Sequence, residues 1–325
     1  MPTDHNPRVS IIIPSYNTAN LIATCLDSVF AQTFRDFEAI VVNDGSPDTP
    51  QLEEVLRPYR ERIVYTRQEN KRVAGARNTA IRQSKGEFLA FLDSDDSWLP
   101  HHLASQMELF EQNPQLDLVY CDGVVISDSA PEVSWMKRCP SRGEPTFEAL
   151  VLERCQISIS TVVVRQAAIV KAGLFDESLA RCDDYDMWLR TAFFGANIGY
   201  RTTSQVRFYL GRPDSLGQSR ARMAEAYCGI LEKAARTLPL DPKQRELVLG
   251  RATEIKARYL VEEGKLQLRQ GRPEKAKELF AEANRLKWQL KVSIMIHTLQ
   301  LAPWSAGSLV AAWSRLRPAR KLRNS

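Results

Sequence analysis

The segment Phe88–Leu92 is an unbroken apolar run with the length of a strand that is buried on both faces. It ends directly in acidic residues, at Asp93, Asp95 and Asp96. Carboxylates crowded at the end of a buried strand repel one another and require a compensating cation. Mg²⁺ and Mn²⁺ prefer oxygen ligands of this kind. The sequence therefore predicts a strand whose carboxyl end holds a divalent metal together with a diphosphate.

Two other interpretations of these acids compete with a metal site. Asp96 or Ser97 could be the N-cap of a helix that begins near Trp98, since Asp and Ser are common N-caps. The spacing D-x-D-x-S also resembles the start of an EF-hand calcium loop. That loop needs Gly where this chain has Trp98 and Glu where it has Ala104, which excludes an EF-hand.

Further apolar runs alternate with helical patterns in the first part of the chain. The runs that predict strands are Val9–Ile13, Phe37–Val42 and Ile63–Thr66. Helices are predicted over Asn20–Ala31, with Asn20 as the N-cap, and over Arg72–Ser84. Strands that alternate with helices form a mostly parallel sheet flanked by helices, with right-handed crossovers. We therefore expect an α/β fold.

Polar side chains follow the ends of these strands. Tyr16 and Asn17 come after the first strand, Asp44 after the second, and Asp93 and Asp95 after the acidic one. Because ligands of such sheets bind beyond the carboxyl ends of the strands, these residues predict a nucleoside diphosphate site. Tyr16 would stack on the base, or would be a half-buried aromatic at the sheet edge. Asp44 would accept a hydrogen bond from the base or ribose, or would cap a turn.

Two predicted helices carry charged residues near this site. Arg77 could neutralise a diphosphate or contact a base edge, and the alternative is a solvated or ion-paired arginine. Asp183 and Asp184 lie in the first turn of a helix whose apolar face includes Met187 and Leu189. The helix dipole favours an ionised carboxylate there, which suits a base that accepts a hydroxyl proton. Helix capping is the alternative.

The middle of the chain predicts further elements. These are a helix over Leu99–Gln112, a strand over Leu118–Ile126, a short strand over Thr161–Val164 and a helix over Gln166–Ala172. Residues 127–146 are rich in turn-forming residues and predict a loop that borders an acceptor site.

From the N-terminus onward, the chain contains five motifs in this order: V-S-I-I-I-P-S-Y-N, V-V-N-D-G-S, G-A-R-N, F-L-D-S-D-D and C-D-D-Y-D-M-W-L-R. In order and spacing they resemble the family 2 glycosyltransferases of GT-A fold, over about residues 8–220. The resemblance implies a Rossmann-like GT-A domain and an inverting, single-displacement transfer of a hexose from a nucleotide sugar, with a UDP-sugar as the expected donor. It does not specify the sugar.

The resemblance also implies roles for individual residues. Asp93 and Asp95 would hold Mn²⁺ or Mg²⁺, with Asp95 the more direct ligand. Asp184 matches the family's catalytic base, and Asp183 replaces the more usual Glu. The base would deprotonate an acceptor hydroxyl while the metal stabilises the leaving diphosphate. The residues that would contact the nucleotide are Pro14, Tyr16, Asn17, Asp44, Arg77 and Asp93.

One segment departs from the family's pattern. Many relatives carry a histidine in a stretch like Y-R-x-H-P-G-S-L-S, where this chain has Y-L-G-R-P-D-S-L-G-Q-S at Tyr209–Ser219. Arg212 takes the place of the histidine. A guanidinium cannot ligate a metal, but it could hold a phosphate.

The C-terminal third differs in composition, since residues 220–325 contain 22 Lys and Arg against 10 Asp and Glu. We expect a catalytic domain over residues 1–220 and a helical extension over 221–290. Gly264 and Phe280 fit a tetratricopeptide-like hairpin in that extension, and a generic helical hairpin is the alternative. A basic amphipathic segment follows over 291–325, and its Trp304 and Trp313 predict contact with an anionic membrane. A capping helix pair with a solvated tail is the alternative.

Localisation and function follow from these observations. The six cysteines include no C-x-x-C pair, and residues 1–7 lack an apolar signal segment, so we expect a cytoplasmic protein, at the cytoplasmic face of the membrane.

The predicted reaction adds a sugar to a surface glycan or lipid-linked acceptor, with no nucleic acid partner. One alternative is a sugar nucleotidyltransferase, although Pro14–Asn20 lacks the usual Gly-rich loop. The other is a non-catalytic binding protein on the same fold.

Overall fold

The strand Val9–Ser15 (β1) lies inside the main sheet, and every residue in it is buried. The structure is a computed structural model that describes residues 6–127, 130–209 and 220–301. The chain divides into two units, Met1–Ser215 and Leu216–Ser325. The predicted site residues all belong to the first unit.

The first unit is built from strands and helices that alternate in its N-terminal part. The remaining strands are β2 (Phe37–Asp44), β3 (Val64–Gln68), β4 (Phe88–Phe91), β5 (Ser97–Trp98), β6 (Leu118–Ser127), β7 (Ala130–Ser134), β8 (Val163–Arg165) and β9 (Ile198–Tyr209). The helices are α1 (Ile22–Phe30), α2 (Thr49–Leu56), α3 (Arg72–Gln83), α4 (His102–Gln112), α5 (Trp135–Arg138), α6 (Phe147–Val151), α7 (Gln166–Ala172) and α8 (Asp183–Phe193).

Within the described residues the strands form one sheet in the order β3-β2-β1-β4-β8-β6-β9-β5, with β7 on β6. The expected α/β architecture is confirmed. The sheet is parallel from β3 to β4, but β8 is antiparallel to both of its neighbours, so the sheet as a whole is mixed rather than mostly parallel. Ser160, just before β8, hydrogen-bonds the loop after β4. The strand β8 thus starts at the edge where β4 ends and has to run in the opposite direction.

Pro14 accounts for the separation of β1 and β4 at this edge. The backbone N–H of Leu92 donates to the carbonyl of Ile12 over 3.1 Å. In a parallel ladder the next bond would come from the N–H of residue 14, and proline has none. The chain after β4 therefore leaves β1 at Asp93, while β1 continues beside β2 to Ser15.

Some local predictions were wrong. Asn20 does not cap α1, since the helix begins at Ile22 with Leu21 in the N-cap position and no side-chain cap bond. The helix α2 was not predicted. Residues 127–146 contain β7 and α5 rather than only a loop, because Asp122 accepts hydrogen bonds from Ser134 and from the N–H of Met136 and holds this segment against β6.

The second unit is helical in its described part. Its helices are α9 (Arg220–Thr237), α10 (Pro242–Arg269), α11 (Pro273–Leu286) and α12 (Leu290–Leu301). Gly264 on α10 lies against the ring of Phe280 on α11, and a Cβ at Gly264 would stand 2.6 Å from Phe280 Cε1. The helix α12 packs on the same apolar cluster. None of the described helices has the length and hydropathy of a membrane span. The proposed division at residues 290/291 stays a prediction.

Gly264→Ala should loosen the α10–α11 pair, because the added methyl group overlaps a fully buried ring. We expect a loss of about 1–3 kcal/mol of local stability. Gly250→Ala, on the same helix with nothing near its added Cβ, is the matched control and should stabilise α10 by about 0.5–1 kcal/mol. Hydrogen exchange of the full chain measures both. Equal exchange in the two variants would contradict the packing described.

Candidate functional site

The strand order creates a crevice at the carboxyl ends of β1 and β4. From β1 the chain continues to β2 and β3 on one side and then to β4 on the other. Such a switch point is where open α/β sheets bind ligands. Tyr16 and Asn17 follow β1 there, Asp44 closes β2, and Asp93 follows β4. Residues predicted from three separate strands therefore lie at one edge of the sheet.

Hydrogen bonds join the loops that follow these strands. The Oγ1 of Thr18 lies 2.9 Å from Ser15 Oγ and 3.0 Å from Ser94 Oγ. The backbone N–H of Asn17 donates to Ser46 Oγ over 2.7 Å. The first set of bonds ties the loop after β1 to the acidic loop, and the second ties it to the loop after β2. The predicted nucleotide residues and metal ligands are thus held on adjoining loops.

The predicted nucleotide residues differ in exposure. The side chain of Tyr16 is 50% exposed, whereas Asp44 is 2% exposed and Pro14 is buried within β1. The Oδ1 of Asp44 accepts hydrogen bonds from Gln68 Nε2 over 2.7 Å and from the N–H of Lys71 over 2.8 Å. Both bonds end on the same oxygen, so they fix the carboxylate without using Oδ2.

Asp93, Asp95 and Asp96 form one acidic cluster, in which one oxygen from each carboxylate lies within 4.8 Å of the others. Desolvation, followed by the charges of Asp95 and Asp93, raises the pKa of Asp96 well above its usual range. The repulsion expected from the sequence is therefore present. Closely spaced carboxylate oxygens are the donor set that Mg²⁺ and Mn²⁺ prefer, so the residues fit a hard divalent cation.

Ser160 holds the acidic loop in place. Its hydroxyl donates to Asp96 Oδ2 over 2.6 Å and accepts from the N–H of Asp93 over 3.2 Å. The N–H of Tyr209, at the end of β9, also donates to Asp96. Asp96 is therefore engaged by the protein from two sides.

The helix after the acidic loop is not capped by that loop. The helix α4 begins at His102 with His101 in the N-cap position, and Ser97 lies in β5. The interpretation of Asp96 or Ser97 as a helix N-cap is therefore wrong.

Arg77 links the acidic loop to α8. Its Nη2 donates to Asp93 Oδ1 and its Nη1 to Asp183 Oδ2, each over 2.6 Å. The side chain is buried, with its guanidinium 5.6 Å from the centre of the Phe175 ring. Of the two interpretations of Arg77, this geometry matches the ion-paired arginine. These two bonds leave other N–H groups of the guanidinium unused, including a buried Nε that has no hydrogen-bond partner among the described residues.

Asp184 lies beside this bridge in the first turn of α8. Its Oδ1 accepts from the N–H of Tyr185 over 2.8 Å. Burial, and then the charge of Asp183, raise the pKa of Asp184 to about 7, although the charge of Arg77 acts in the opposite direction. Desolvation and the neighbouring carboxylate thus outweigh the expected effect of the helix dipole. Near neutral pH this carboxyl is poised to accept a proton.

Sequence reasoning missed the hydroxyl residues that assemble the site. Thr18 and Ser94 each lie three residues after the end of a strand, which is a signal that could have identified them. Ser160 lies 64 residues from Asp96, and no local pattern marks it. Arg212, the position that departs from the family's pattern, lies outside the described residues.

The comparisons with known proteins point to one family. A family model described as "Glycosyl transferase family 2" matches residues 10–172. An uncharacterized glycosyltransferase of Rickettsia typhi, RT0329, is 34% identical over 189 residues, which cover 57% of this chain and 59% of that protein. The chain thus spans less than two thirds of this relative. The Escherichia coli protein WfgD, named as a UDP-Glc:alpha-D-GlcNAc-diphosphoundecaprenol beta-1,3-glucosyltransferase, is 33% identical over 182 residues, covering 56% of this chain and 68% of that protein.

Solved structures share the fold at low sequence identity. Residues 1–349 of Staphylococcus aureus TarS have a TM-score of 0.64 and 18% identity, covering 95% of this chain and 91% of that one. The same TarS fragment has been solved with UDP and with UDP-GlcNAc. The mannosyltransferase PcManGT of Pyrobaculum calidifontis, in complex with GDP-Man and Mn²⁺, has a TM-score of 0.58 and 18% identity, covering 96% of this chain and 84% of that one. The chain adopts the GT-A fold with a helical C-terminal region, and it belongs to glycosyl transferase family 2.

Proposed function

We propose that this chain is an inverting, metal-dependent glycosyltransferase that moves a hexose from a UDP-sugar to a hydroxyl of a lipid-linked or surface-glycan acceptor. The observation that carries the proposal is the bridge made by Arg77. One guanidinium joins Asp93, in the acidic cluster at the switch point, to Asp183, the neighbour of Asp184 on α8. A site for the leaving diphosphate and a proton acceptor are thereby held next to each other.

The donor nucleoside is assigned to the crevice after β1 and β2. Tyr16 offers an exposed ring on which a base can stack, and Asp44 offers a fixed carboxylate to the base or ribose. Pro14 and Asn17 lie on either side of Tyr16 in the sequence and shape the backbone that enters this crevice. The reported TarS complexes with UDP and UDP-GlcNAc and the name of WfgD support uridine, while the PcManGT complex with GDP-Man shows that the fold also accommodates guanosine.

Asp95 and Asp93 are assigned to a divalent metal, Mn²⁺ or Mg²⁺. When bound there, such an ion would neutralise charge on the departing diphosphate. Asp93 and Asp95 match the D-x-D pair of the family, and by that similarity we assign Asp95 as the more direct ligand. We assign Arg77 a positioning role, because both of its terminal nitrogens bind carboxylates of the protein.

Asp184 is assigned as the general base. The acceptor hydroxyl oxygen forms a bond to the anomeric carbon, and its proton passes to the Asp184 carboxylate. The bond between the anomeric carbon and the diphosphate oxygen breaks on the opposite side, and the nucleoside diphosphate leaves with that electron pair. A single displacement of this kind inverts the anomeric configuration.

The acceptor is assigned to the side of the crevice bordered by residues 127–160. WfgD is named for a substrate with a diphosphoundecaprenol carrier, which supports a lipid-linked acceptor for this chain as well. A substrate of that kind would require the protein to work at a membrane surface, on the cytoplasmic side where nucleotide sugars are available.

Asp184→Asn should lower kcat by about 10²–10⁴-fold with little change in donor affinity, because the amide keeps the side-chain shape but cannot accept the proton. Asp95→Asn should instead abolish metal-dependent donor binding. Release of the nucleoside diphosphate measures the first effect, and calorimetric titration of UDP with Mn²⁺ measures the second.

Asp27→Asn provides the matched control for both substitutions. This aspartate is on α1 and accepts a surface hydrogen bond from Tyr59, away from the acidic cluster. It should behave as the unmodified protein. Turnover that survives in Asp184→Asn or Asp95→Asn at the control's level would refute the assigned roles.

The pH dependence should report the titration of Asp184. Since the base has to be deprotonated, kcat/KM should rise with pH through about 7. Asp183→Asn removes the neighbouring negative charge that raises this pKa and keeps an oxygen for Arg77, so it should move the rise to lower pH. A profile of kcat/KM against pH for both proteins measures the shift. An unmoved profile, or one that moves to higher pH, would contradict the assignment.

A further inference from the structure

The last described helix, α12, is apolar on two opposite faces. Val292, Met295 and Leu299 are buried and pack with α10 and α11. Leu290 and Ile294 point away from that contact. With about 100° of rotation per residue, these two lie roughly on the side opposite the buried three. An apolar face of a helix is ordinarily covered by another part of the protein or by a partner.

The second apolar face of α12 is open in the structure. We define the outer face of α12 as Leu290, Ile294 and Leu301, together with Trp288 just before the helix. The exposed fractions of these residues are 59%, 55%, 81% and 68%. Scattered exposed apolar residues are ordinary, but a contiguous patch that includes a tryptophan marks an interaction surface.

The charge around the outer face is mainly positive, although Lys287 pairs with Glu254 of α10. Arg285, Lys287 and Lys291 are exposed beside it. Residues 283–325 contain eight Lys and Arg and no Asp or Glu. The cations therefore continue along the sequence past the helix. A partner of this surface must offer both an apolar layer and negative charge.

We propose that the outer face of α12 lies on an anionic phospholipid bilayer. Leucine and isoleucine side chains would enter the acyl boundary, Trp288 would sit at the headgroup level, and the flanking cations would contact anionic headgroups. Exposed cations such as Arg285 and Lys291 are attracted to such a surface. The inference deepens the proposed function, since it brings the chain to a lipid-linked acceptor, but vesicle binding can be measured without turnover.

The test is flotation of the full chain with vesicles of phosphatidylcholine, with and without phosphatidylglycerol. Leu290→Gln/Ile294→Gln removes apolar side chains from the outer face. Leu249→Gln/Leu266→Gln is the matched control, because both of its leucines are exposed on α10. The unmodified chain and the control should bind the anionic vesicles, and the outer-face variant should bind at least about tenfold more weakly. Binding should also fall with added salt.

Three results would overturn the inference. The first is equal binding of the chain to both vesicle types, and the second is equal binding by the outer-face variant and the control. The third is a chain that does not bind vesicles and that sedimentation shows to self-associate through this face. Nucleoside diphosphate release in solution should be unchanged in both variants. A variant that loses vesicle binding but keeps turnover therefore tests this surface alone. An unmodified chain without turnover would instead contradict the proposed function.

Discussion

The site depends on the two ion pairs of one buried guanidinium. Arg77 donates to Asp93 and Asp183 in a region where Asp184, Asp95 and Asp96 add further negative charge. Removing one partner from a buried pair typically costs about 3–5 kcal/mol, because the other charge is left uncompensated. One arginine cannot balance all of these carboxylates. The remaining negative charge makes the acidic loop suited to a divalent cation.

The backbone creates the space for this charge. Pro14 removes the ladder bond that would have kept β4 beside β1, and the chain departs at Asp93. Ser160 then holds the acidic loop from the side of β8, while Thr18 ties it to the loop after β1. Each of these contacts is modest, but together they place groups from distant parts of the chain on one edge of the sheet.

The sequence predicted those features of the site that are local. Apolar runs identified β1, β2 and β4, and the polar residues that follow them identified Tyr16, Asp44 and the acidic loop. It could not predict contacts between distant residues. Arg77 and Asp183 are 106 positions apart, and only the tertiary fold shows that they pair. The burial that raises the pKa of Asp184 and the antiparallel placement of β8 likewise arise from tertiary structure, so the helix dipole and the alternation of strands did not predict them. The predicted functions of Arg212 and the last residues stay predictions.

The most direct measurement of the central claim is anomalous diffraction at the manganese edge, from crystals of the full chain grown with Mn²⁺ and UDP. We expect one strong manganese peak between the side chains of Asp93 and Asp95 and the diphosphate, with the uracil against Tyr16. UDP bound at this edge with no manganese at the acidic loop, or manganese and UDP bound elsewhere on the chain, would contradict it.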